Sequence, residues 1–427
     1  MKVAIKSDRT VILYLVLLMA FANASLRFNA AGYSSWYRLI SPIVFFYIVL
    51  VGHKRLINAM VFFAIAFIYS IFVSTIYYHN VFINYHINLI YIMVCYVIVF
   101  RLKNIEKDFD DTFFSFLDKT TVVILVLAFL QLIIHKPYPF VLISANRTAV
   151  NLFFSNENEL GEPMACMVII YMVRQFVKKE KKHLVKILLI FLLLFLNDAK
   201  LSLLGAIVGL LLTGVFIRSS KRDKKVKGGN IKLFIGIGIV ASIVTFLSIS
   251  NVNLRFRDYD INFNSLIMDY IKHIVRLESF SSGGGSMIDR TNAIIFGLRE
   301  LRNSHFFGIG FGNSTYMMSM PQYKTLTAES MHNIFFQVIC EFGYLAIIGY
   351  LLIGRQVLKN IRDDANWINV LKLVYCISFI LISSQSSIGI LSNYMTWTIT
   401  FYVALFGNKE IMKKDCYYAE SIEKTVC

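Results

Sequence analysis

The chain has few charged residues for its length. Asp, Glu, Lys and Arg make up 16% of its 427 residues, whereas hydrophobic residues make up 57%. A soluble protein could not bury this much apolar surface in its core. The composition therefore argues against a soluble enzyme and predicts a polytopic membrane protein, whose spans must be helices because the bilayer offers no water to the backbone.

Cysteine is scarce where it would serve cross-linking or metal binding. The chain has six cysteines and no CxxC spacing. They lie in predicted spans or in the C-terminal tail: Cys95, Cys166, Cys340, Cys376, Cys416 and Cys427. The predicted external loops have none, which argues against structural disulfides and cysteine metal sites outside the cell.

Apolar runs of membrane length recur along the whole chain. The predicted fold class is all-α, a polytopic transmembrane helical bundle of about 12 spans that forms a single integral membrane domain over 1–427. We expect spans at 10–28, 36–52, 56–78, 83–100, 120–135, 160–177, 184–199, 201–217, 233–250, 331–353, 367–386 and 388–406. Only Lys200 interrupts the run 184–217, which is therefore either a tight hairpin or one broken helix.

Positive charge is distributed unevenly along the chain. The net charge is +17, and most Lys and Arg lie in alternate segments between predicted spans, including 2–9, 178–186, 218–232 and 409–414. The positive-inside rule puts these segments and both termini in the cytoplasm. The basic run 221–225 is therefore interpreted as a topology signal, and no nucleic-acid partner is expected.

The largest external loop lies at 251–330, between the ninth and tenth predicted spans. A carrier of this size more often has short outer loops and internal symmetry, and no repeat is evident between the two halves of this chain. The loop therefore favours work at the outer face. Within it, 264–276 and 288–301 have helical patterns. A second external loop, at 136–159, is polar and irregular.

Four polar patches interrupt the apolar pattern between about residues 140 and 350. They are Arg147-Thr148 through Asn156-Glu157-Asn158 with Gly161, Asn197-Asp198-Ala199-Lys200 through Gly205, Asp289-Arg290-Thr291 through Gly308-Ile309-Gly310-Phe311-Gly312-Asn313, and His332-Asn333 through Glu341-Phe342-Gly343. In these patches the chain resembles the bacterial family of O-antigen polymerases and O-antigen ligases. One departure is Lys200, where the family pattern has arginine. The charge is kept, but the paired hydrogen bonds of a guanidinium are not.

The resemblance implies a glycan transferase that uses a lipid-linked donor, with a polyisoprenyl diphosphate as the leaving group. His332 would be the catalytic base, because a neutral imidazole with an unperturbed pKa of about 6.5 takes a proton from a hydroxyl readily. Ser330 is expected to cap the following helix. Asn333 and Glu341 would support the site, Glu341 as a buried acceptor or a partner to a cation. Taken alone, His332 would be interpreted as an interfacial residue that caps or hydrogen-bonds.

Three cations would bind the diphosphate or the glycan. Arg290 and Arg147 come from separate external segments, and Lys200 comes from the outer edge of the membrane. A diphosphate needs several converging donors, and arginine matches phosphate oxygens in pairs. A cation inside a span usually has a partner, and Asp198 is the candidate for Lys200. Taken singly, each cation is equally well explained as a surface or snorkelling side chain.

Neither a metal nor an organic cofactor is expected. Asp258-Tyr259-Asp260 has the DxD spacing with which many glycosyltransferases hold a divalent metal, but Arg255 and Arg257 beside it favour surface ion pairs. The run 308–312 is no dinucleotide fingerprint, because no strand is expected before it. Since protein cations would neutralise the leaving group, the resemblance implies a metal-independent reaction that inverts the anomeric centre.

Three functions remain open. They are a polymerase that joins undecaprenyl-diphosphate-linked oligosaccharide repeats into O-antigen or capsule-type polysaccharide, a ligase that moves glycan to lipid A core or protein, and a transporter. The polymerase is favoured, because abundant Phe, Ile, Asn, Lys and Tyr indicate the AT-rich coding expected of surface-polysaccharide gene clusters. A transporter would more often hold its charges at mid-membrane. The expected partners, at the bacterial inner membrane, are the lipid-linked oligosaccharide, membrane lipid and a chain-length regulator protein.

Overall fold

The structure is a computed structural model. It describes residues 56–78, 81, 83–105, 109–134, 150, 152, 154, 157–197, 199–220, 253–256, 259–262, 272–273, 275–276, 286–318, 320, 331–364, 366–384 and 393–406. The predicted spans at 10–28, 36–52 and 233–250 lie outside these residues, and so do Arg147 and Asp198.

Helices dominate the described residues. In chain order they are α1 (Leu56–Tyr78), α2 (Ile83–Ile105), α3 (Phe109–Ile134), α4 (Glu157–Phe176), α5 (Leu184–Leu196), α6 (Lys200–Ser220), α7 (Ser286–Asn303), α8 (Asn313–Met318), α9 (Ile334–Phe342), α10 (Tyr344–Asp363), α11 (Trp367–Ile382) and α12 (Tyr394–Leu405). Strands β1 (Asn253–Phe256) and β2 (Tyr259–Asn262) form an antiparallel hairpin between α6 and α7. The helical class is confirmed for this part of the chain, and the hairpin is an addition that hydropathy did not indicate.

Most predicted spans within the described ranges coincide with helices. Helix α3 begins at Phe109, well before the span predicted at 120–135, because Asp110 and Asp111 in its first turn lower the local hydropathy. Acidic residues are favourable at that position, where the helix dipole is positive. The run 184–217 consists of two helices that pack on each other, so the hairpin interpretation is the right one.

The single span predicted at 331–353 is wrong. The structure has two helices there, α9 and α10, which meet at Gly343. Gly343 has a φ of +56°, a left-handed conformation that glycine adopts without a steric penalty. A Cβ at this position would overlap the carbonyl oxygen of Phe306. Hydropathy missed the break because apolar residues flank it on both sides.

Helix α4 lies at the centre of the bundle. Residues 160–173 are all buried, and α4 packs against α5, α6, α11 and α12. Glycines allow a close approach: a Cβ on Gly161 would lie 2.9 Å from Ala199 Cβ, and one on Gly209 would lie 3.1 Å from Ile169 Cγ1. The start of α4 thus lies beside the start of α6, and the middle of α4 lies beside the middle of α6. The two helices therefore run parallel. Small residues play the same part in membrane helix bundles, where lipid removes the hydrophobic drive for association.

Large apolar side chains remain exposed on the outward faces of α1, α3, α5, α6 and α10. Exposed apolar patches of this extent mark a surface that a membrane or a partner covers. Among the described helices, two are long and apolar enough to cross a membrane by length and composition, Phe109–Ile133 and Lys200–Ile217. Three other apolar helices are shorter, namely Phe63–Tyr77, Leu184–Leu196 and Trp367–Ile382.

The bundle has two ends of different chemistry. Helix α11 runs antiparallel to α6, as shown by the contacts of Gly205 with Ile382 and of Gly209 with Ser378. The starts of α4 and α6 and the end of α11 therefore share one end. We name it the His332 end, because the N–H of Ile334 donates to the carbonyl of Ser383 there (3.3 Å). The opposite end contains Arg174 and is named the Arg174 end.

A charged cluster closes the Arg174 end. The Arg174 side chain is 3% exposed, and its Nη2 donates to Glu180 Oε1 (3.0 Å) and to Asp111 Oδ1 (3.3 Å). Glu180 also forms an ion pair with Lys178 (2.6 Å) and a hydrogen bond with His183 Nε2 (3.0 Å). These contacts tie the loop between α4 and α5 to the start of α3.

Glu180 is expected to make the stability of this end depend on pH. Burial raises the pKa of its carboxyl, but hydrogen bonds from Lys178, His183 and Arg174 outweigh burial and bring the pKa from 4.5 down to about 2. A carboxyl whose pKa is lowered on folding stabilises the protein fully above its unfolded pKa and loses that contribution as the pH falls through the folded pKa. The melting temperature of the detergent-solubilised protein should therefore fall between about pH 5 and pH 2, and Glu180→Gln should flatten this decline. Asp363→Asn, at an exposed acid of α10, is the control, and a decline equally steep in Glu180→Gln and wild type would contradict the prediction.

Candidate active site

Helix α9 begins directly after His332 and Asn333. Asn333 is the N-cap: its Oδ1 accepts from the N–H of Phe336 (3.1 Å), and its Nδ2 donates to Ser384 Oγ (2.9 Å). The cap predicted at Ser330 is therefore wrong, because Asn caps as well as Ser and stands immediately before the first helical residue. The bond to Ser384 joins the start of α9 to the end of α11 and fixes the backbone beside His332.

His332 has an unusual backbone conformation. Its φ is +48°, in the left-handed region that costs a residue other than glycine on the order of 1 kcal/mol or more. Its neighbours hold it there, since Met331 is buried against Gly297 of α7 and Asn333 is fixed by its two hydrogen bonds. The side chain of His332 is only partly buried. Backbone strain of this kind clusters at functional sites.

Helix α7 carries Arg290 in its second turn and packs on α9. The two helices run parallel. The middle of α7, at Gly297, lies against Cys340, whereas beyond both helices the Phe306 carbonyl accepts from the N–H of Tyr344 (2.9 Å). Arg290 therefore lies at the same end of this pair as the N-terminus of α9.

The guanidinium of Arg290 has an unsatisfied donor. Burial lowers the pKa of Arg290 from its usual value, but an arginine starts from a pKa above about 12 and keeps its charge. Its Nε is shielded from solvent and donates to no acceptor in the part of the chain that the structure describes. A buried donor without an acceptor costs free energy, so an anionic oxygen bound at this position would be stabilised.

Lys200 is the first residue of α6 and is exposed. The segment that follows Arg147 is bound nearby: the N–H of Val150 donates to Asn197 Oδ1 (2.9 Å), and Asn197 Nδ2 donates to the Val150 carbonyl (2.7 Å). This contact joins the backbone at Val150 to the C-cap residue of α5, three residues before Lys200. The pairing of Asp198 with Lys200 stays a prediction, since Asp198 lies outside the described residues.

His332, Arg290 and Lys200 thus share the His332 end of the bundle. Lys200 is about one turn before Gly205, which packs on the last turn of α11. His332 directly precedes Asn333, which bonds to Ser384 just after α11. Helices α4, α6, α7 and α9 also begin at this end. Helix starts carry partial positive charge from unpaired N–H groups, which adds to the charge of the side chains. The arrangement suits an anionic ligand.

Glu341 lies in the last turn of α9, away from His332, and is completely buried. Its Oε1 accepts from Ser314 Oγ and from Gln337 Nε2 (3.1 Å). Both partners are neutral, so within the described residues Glu341 is a hydrogen-bond acceptor that ties α8 to α9.

The glycine-rich segment 308–312 runs along the end of α9. The N–H groups of Ile309 and Gly310 donate to the carbonyls of Cys340 (3.0 Å) and Glu341 (2.9 Å). The segment and the last turn of α9 therefore form one unit.

Two residues of α1 that also hold this segment were not apparent from the sequence. Ser70 Oγ accepts from the N–H of Phe311 (2.7 Å), and Ser74 Oγ accepts from Asn313 Nδ2 (3.1 Å). The sequence does show two hydroxyls one helical turn apart in an apolar span. They lie outside the region that carries the family resemblance, so they were not connected with the site.

The described residues contain no group of three or more His, Cys, Asp or Glu that could hold a metal ion. In the DxD motif, Asp260 lies in β2 opposite Arg255, and Asp258 lies outside the described residues. Opposite positions on paired strands are those at which cross-strand charge pairs form.

Comparison with known families gives the class of the protein. Residues 185–351, which include Lys200, Arg290 and His332, match the family model described as O-Antigen ligase. The chain is accordingly a membrane glycan-processing enzyme of the polymerase and ligase type. The resemblance to the O-antigen polymerases and ligases is confirmed over residues 185–351. Comparison with the curated proteins gave no match.

Proposed function

We propose that the protein is a glycan polymerase that joins polyisoprenyl-diphosphate-linked oligosaccharide repeats at the outer face of the inner membrane. The proposal is supported by the placement of the His332, Arg290 and Lys200 positions at the same end of the bundle, with a donor of Arg290 unsatisfied among the described residues. A titratable base beside several cations is what a reaction with a diphosphate leaving group needs.

The proposed reaction is a direct displacement at the anomeric carbon. His332 takes the proton of the acceptor hydroxyl, whose oxygen forms the new bond to that carbon. The bond from the same carbon to the diphosphate oxygen breaks, and the electron pair leaves with the diphosphate. Arg290, Lys200 and Arg147 stabilise the charge that accumulates there. Attack opposite to the leaving group inverts the anomeric configuration.

A ligase that transfers glycan to lipid A core or protein is the alternative, since it shares this chemistry and differs only in the acceptor. Deletion of the gene separates the two. A polymerase deletion should leave single-repeat glycan on the lipid A core, whereas a ligase deletion should leave the core without glycan. Normal-length glycan in the deletion strain would contradict both the polymerase and the ligase function. A chain-length regulator protein is proposed as a partner of the polymerase only.

We propose an orientation with both termini and the Arg174 end in the cytoplasm and the His332 end outside. The clustering of Lys178, Lys181, Lys182 and Lys186 at the Arg174 end supports it. In cells that carry Ser282→Cys, an impermeant thiol reagent should label residue 282 from the periplasmic side. Labelling from the cytoplasmic side alone would overturn the orientation and the proposed mechanism with it.

The reaction is expected to need no divalent metal, because the protein's own cations neutralise the leaving group. The variant Asp258→Ala with Asp260→Ala should keep activity in the presence of a chelator within about threefold of wild type, because substitutions that touch no part of a site usually have small effects. Purified protein with lipid-linked oligosaccharide is the assay. Loss of wild-type activity in chelator, restored by magnesium or manganese, would support metal dependence instead.

A further inference from the structure

Helix α1 presents buried hydroxyls to the segment that follows α7. Ser70 and Ser74 are both fully buried, and they accept hydrogen bonds from the Phe311 N–H (2.7 Å) and from Asn313 Nδ2 (3.1 Å). A side chain on Gly310 would overlap Ser74 Oγ, so the backbone comes very close to α1 at this point.

His86 of α2 supports the first of these serines. Its Nε2 lies 2.9 Å from Ser70 Oγ, and its ring packs edge-on against Phe311 (5.9 Å between centroids). In either tautomer of His86, the second hydrogen bond fixes the rotamer of Ser70. Tyr69 adds a further contact from α1, since its Oη donates to the Phe307 carbonyl (2.7 Å).

These contacts are specific. Polar side chains in an apolar helix are costly unless they are hydrogen-bonded. Here three successive polar positions of α1, Tyr69, Ser70 and Ser74, each have a hydrogen-bond partner in the segment 307–313. Apolar side chains would be enough to pack α1 against the bundle, so these hydrogen bonds indicate a specific attachment to this segment.

The segment passes the constraint on to the helix that follows His332. Its Ile309 and Gly310 N–H groups bond to the last turn of α9, and Ser314 bonds to Glu341 of the same turn. Helix α9 has only nine residues, so its C-terminal turn is about two turns from the cap at Asn333. Because His332 directly precedes the cap of α9, a displacement of the C-terminal turn of α9 would also displace the backbone at His332.

We propose that Ser70 and Ser74, with Tyr69 and His86 in support, are positioning residues for His332. They hold α9, through the segment 307–313, at the place where the imidazole meets the acceptor hydroxyl. The inference rests on the proposed function of His332 as the base. A displacement of about 1 Å at a reacting group costs on the order of 100-fold in rate, so the loss of two anchors should appear in kcat.

The test is the double variant Ser70→Ala with Ser74→Ala, purified and assayed in lipid nanodiscs with lipid-linked oligosaccharide. We expect kcat to fall about 10- to 100-fold. The dissociation constant of the donor should change less than about threefold, because Lys200 lies on α6 and Arg290 lies at the start of α7, away from the segment 307–313. Thr75→Ala is the matched control. Among the described residues its hydroxyl donates to the Ile71 carbonyl of the same helix (2.9 Å), so its loss should change neither quantity. An unchanged kcat, or equal losses of kcat and donor binding, would overturn the proposal.

Two further measurements keep the proposal falsifiable if the double variant fails to insert. Tyr69→Phe keeps the ring and removes one anchor, so it should insert normally and lower kcat about threefold or more, about the worth of one hydrogen bond. In a His332→Ala background, Tyr69→Phe should lower the residual rate of the purified protein no further, because its effect acts through the missing imidazole. No loss from Tyr69→Phe, or an additive loss, overturns the positioning role.

The failure of this proposal is distinct from the failure of the proposed function. If His332→Ala is active, His332 is not the base, and the proposed function falls whatever the serines do. If His332→Ala is inactive and the serine and tyrosine variants are fully active, only the positioning role falls.

Discussion

Replacing His332 with alanine is expected to abolish chain elongation in protein that still inserts and still binds the lipid-linked donor. The imidazole would act on the acceptor proton, and loss of a general base typically lowers the rate about 10²- to 10⁴-fold. Donor binding would use cations of other elements, Arg290 and Lys200, and should persist. Glycan ladders from cells measure elongation, and binding to the purified protein measures donor affinity.

His305→Ala is a matched control for this prediction. His305 is also a histidine in a left-handed conformation, with a φ of +51°, but it is exposed in the turn after α7 and away from the N-terminus of α9. Its replacement should leave the ladders unchanged. Ladders of normal length from a well-expressed His332→Ala variant would remove His332 from catalysis and return it to the interpretation as an interfacial residue.

Arg290→Ala should both weaken donor binding and slow the chemical step. A guanidinium contact to the diphosphate is present in the ground state and strengthens as negative charge accumulates on the leaving group, so kcat/KM should fall about 100-fold or more. Arg290→Lys should recover only part of this loss, because one ammonium group cannot reproduce the paired hydrogen bonds. Steady-state kinetics together with equilibrium donor binding separate the two effects.

The control for Arg290 lies on the same helix. Arg302 is exposed in the last turn of α7, at the other end from Arg290. Arg302→Ala removes the same charge from the protein and should leave donor affinity and rate close to wild type. Equal losses from both substitutions would indicate that net charge matters, and that the position of Arg290 does not.

Hydropathy predicts where most of the described helices lie but does not predict how they are divided. The start of α3 was missed because acids in its first turn resemble a loop in a hydropathy profile, although they stabilise a helix start. The break at Gly343 was missed for the opposite reason, since apolar residues continue through it. Only the contact between the backbone at Gly343 and that at Phe306 requires the break, and such a contact cannot be seen in a local window.

The candidate site was predictable to a similar degree. His332, Arg290 and Lys200 were identified from the family resemblance, and the fold brings them to one end. The cap at Asn333 was assigned to Ser330, because both residue types cap helices and only the position of the first helical turn decides between them. Ser70 and Ser74 were missed because their partners lie more than 200 residues away in the chain, and no local pattern encodes such a distance.

The burial of α4 has a consequence for the order in which the protein is made. Much of the surface that covers α4 belongs to α11 and α12, which are synthesised much later. Glu162 of α4 accepts a hydrogen bond from Asn393 Nδ2 (3.1 Å), the N-cap residue of α12. During translation Glu162 therefore lacks this hydrogen-bond partner until α12 has been synthesised. The helix at the centre of the bundle is therefore made early but fully packed only after α11 and α12 have been made.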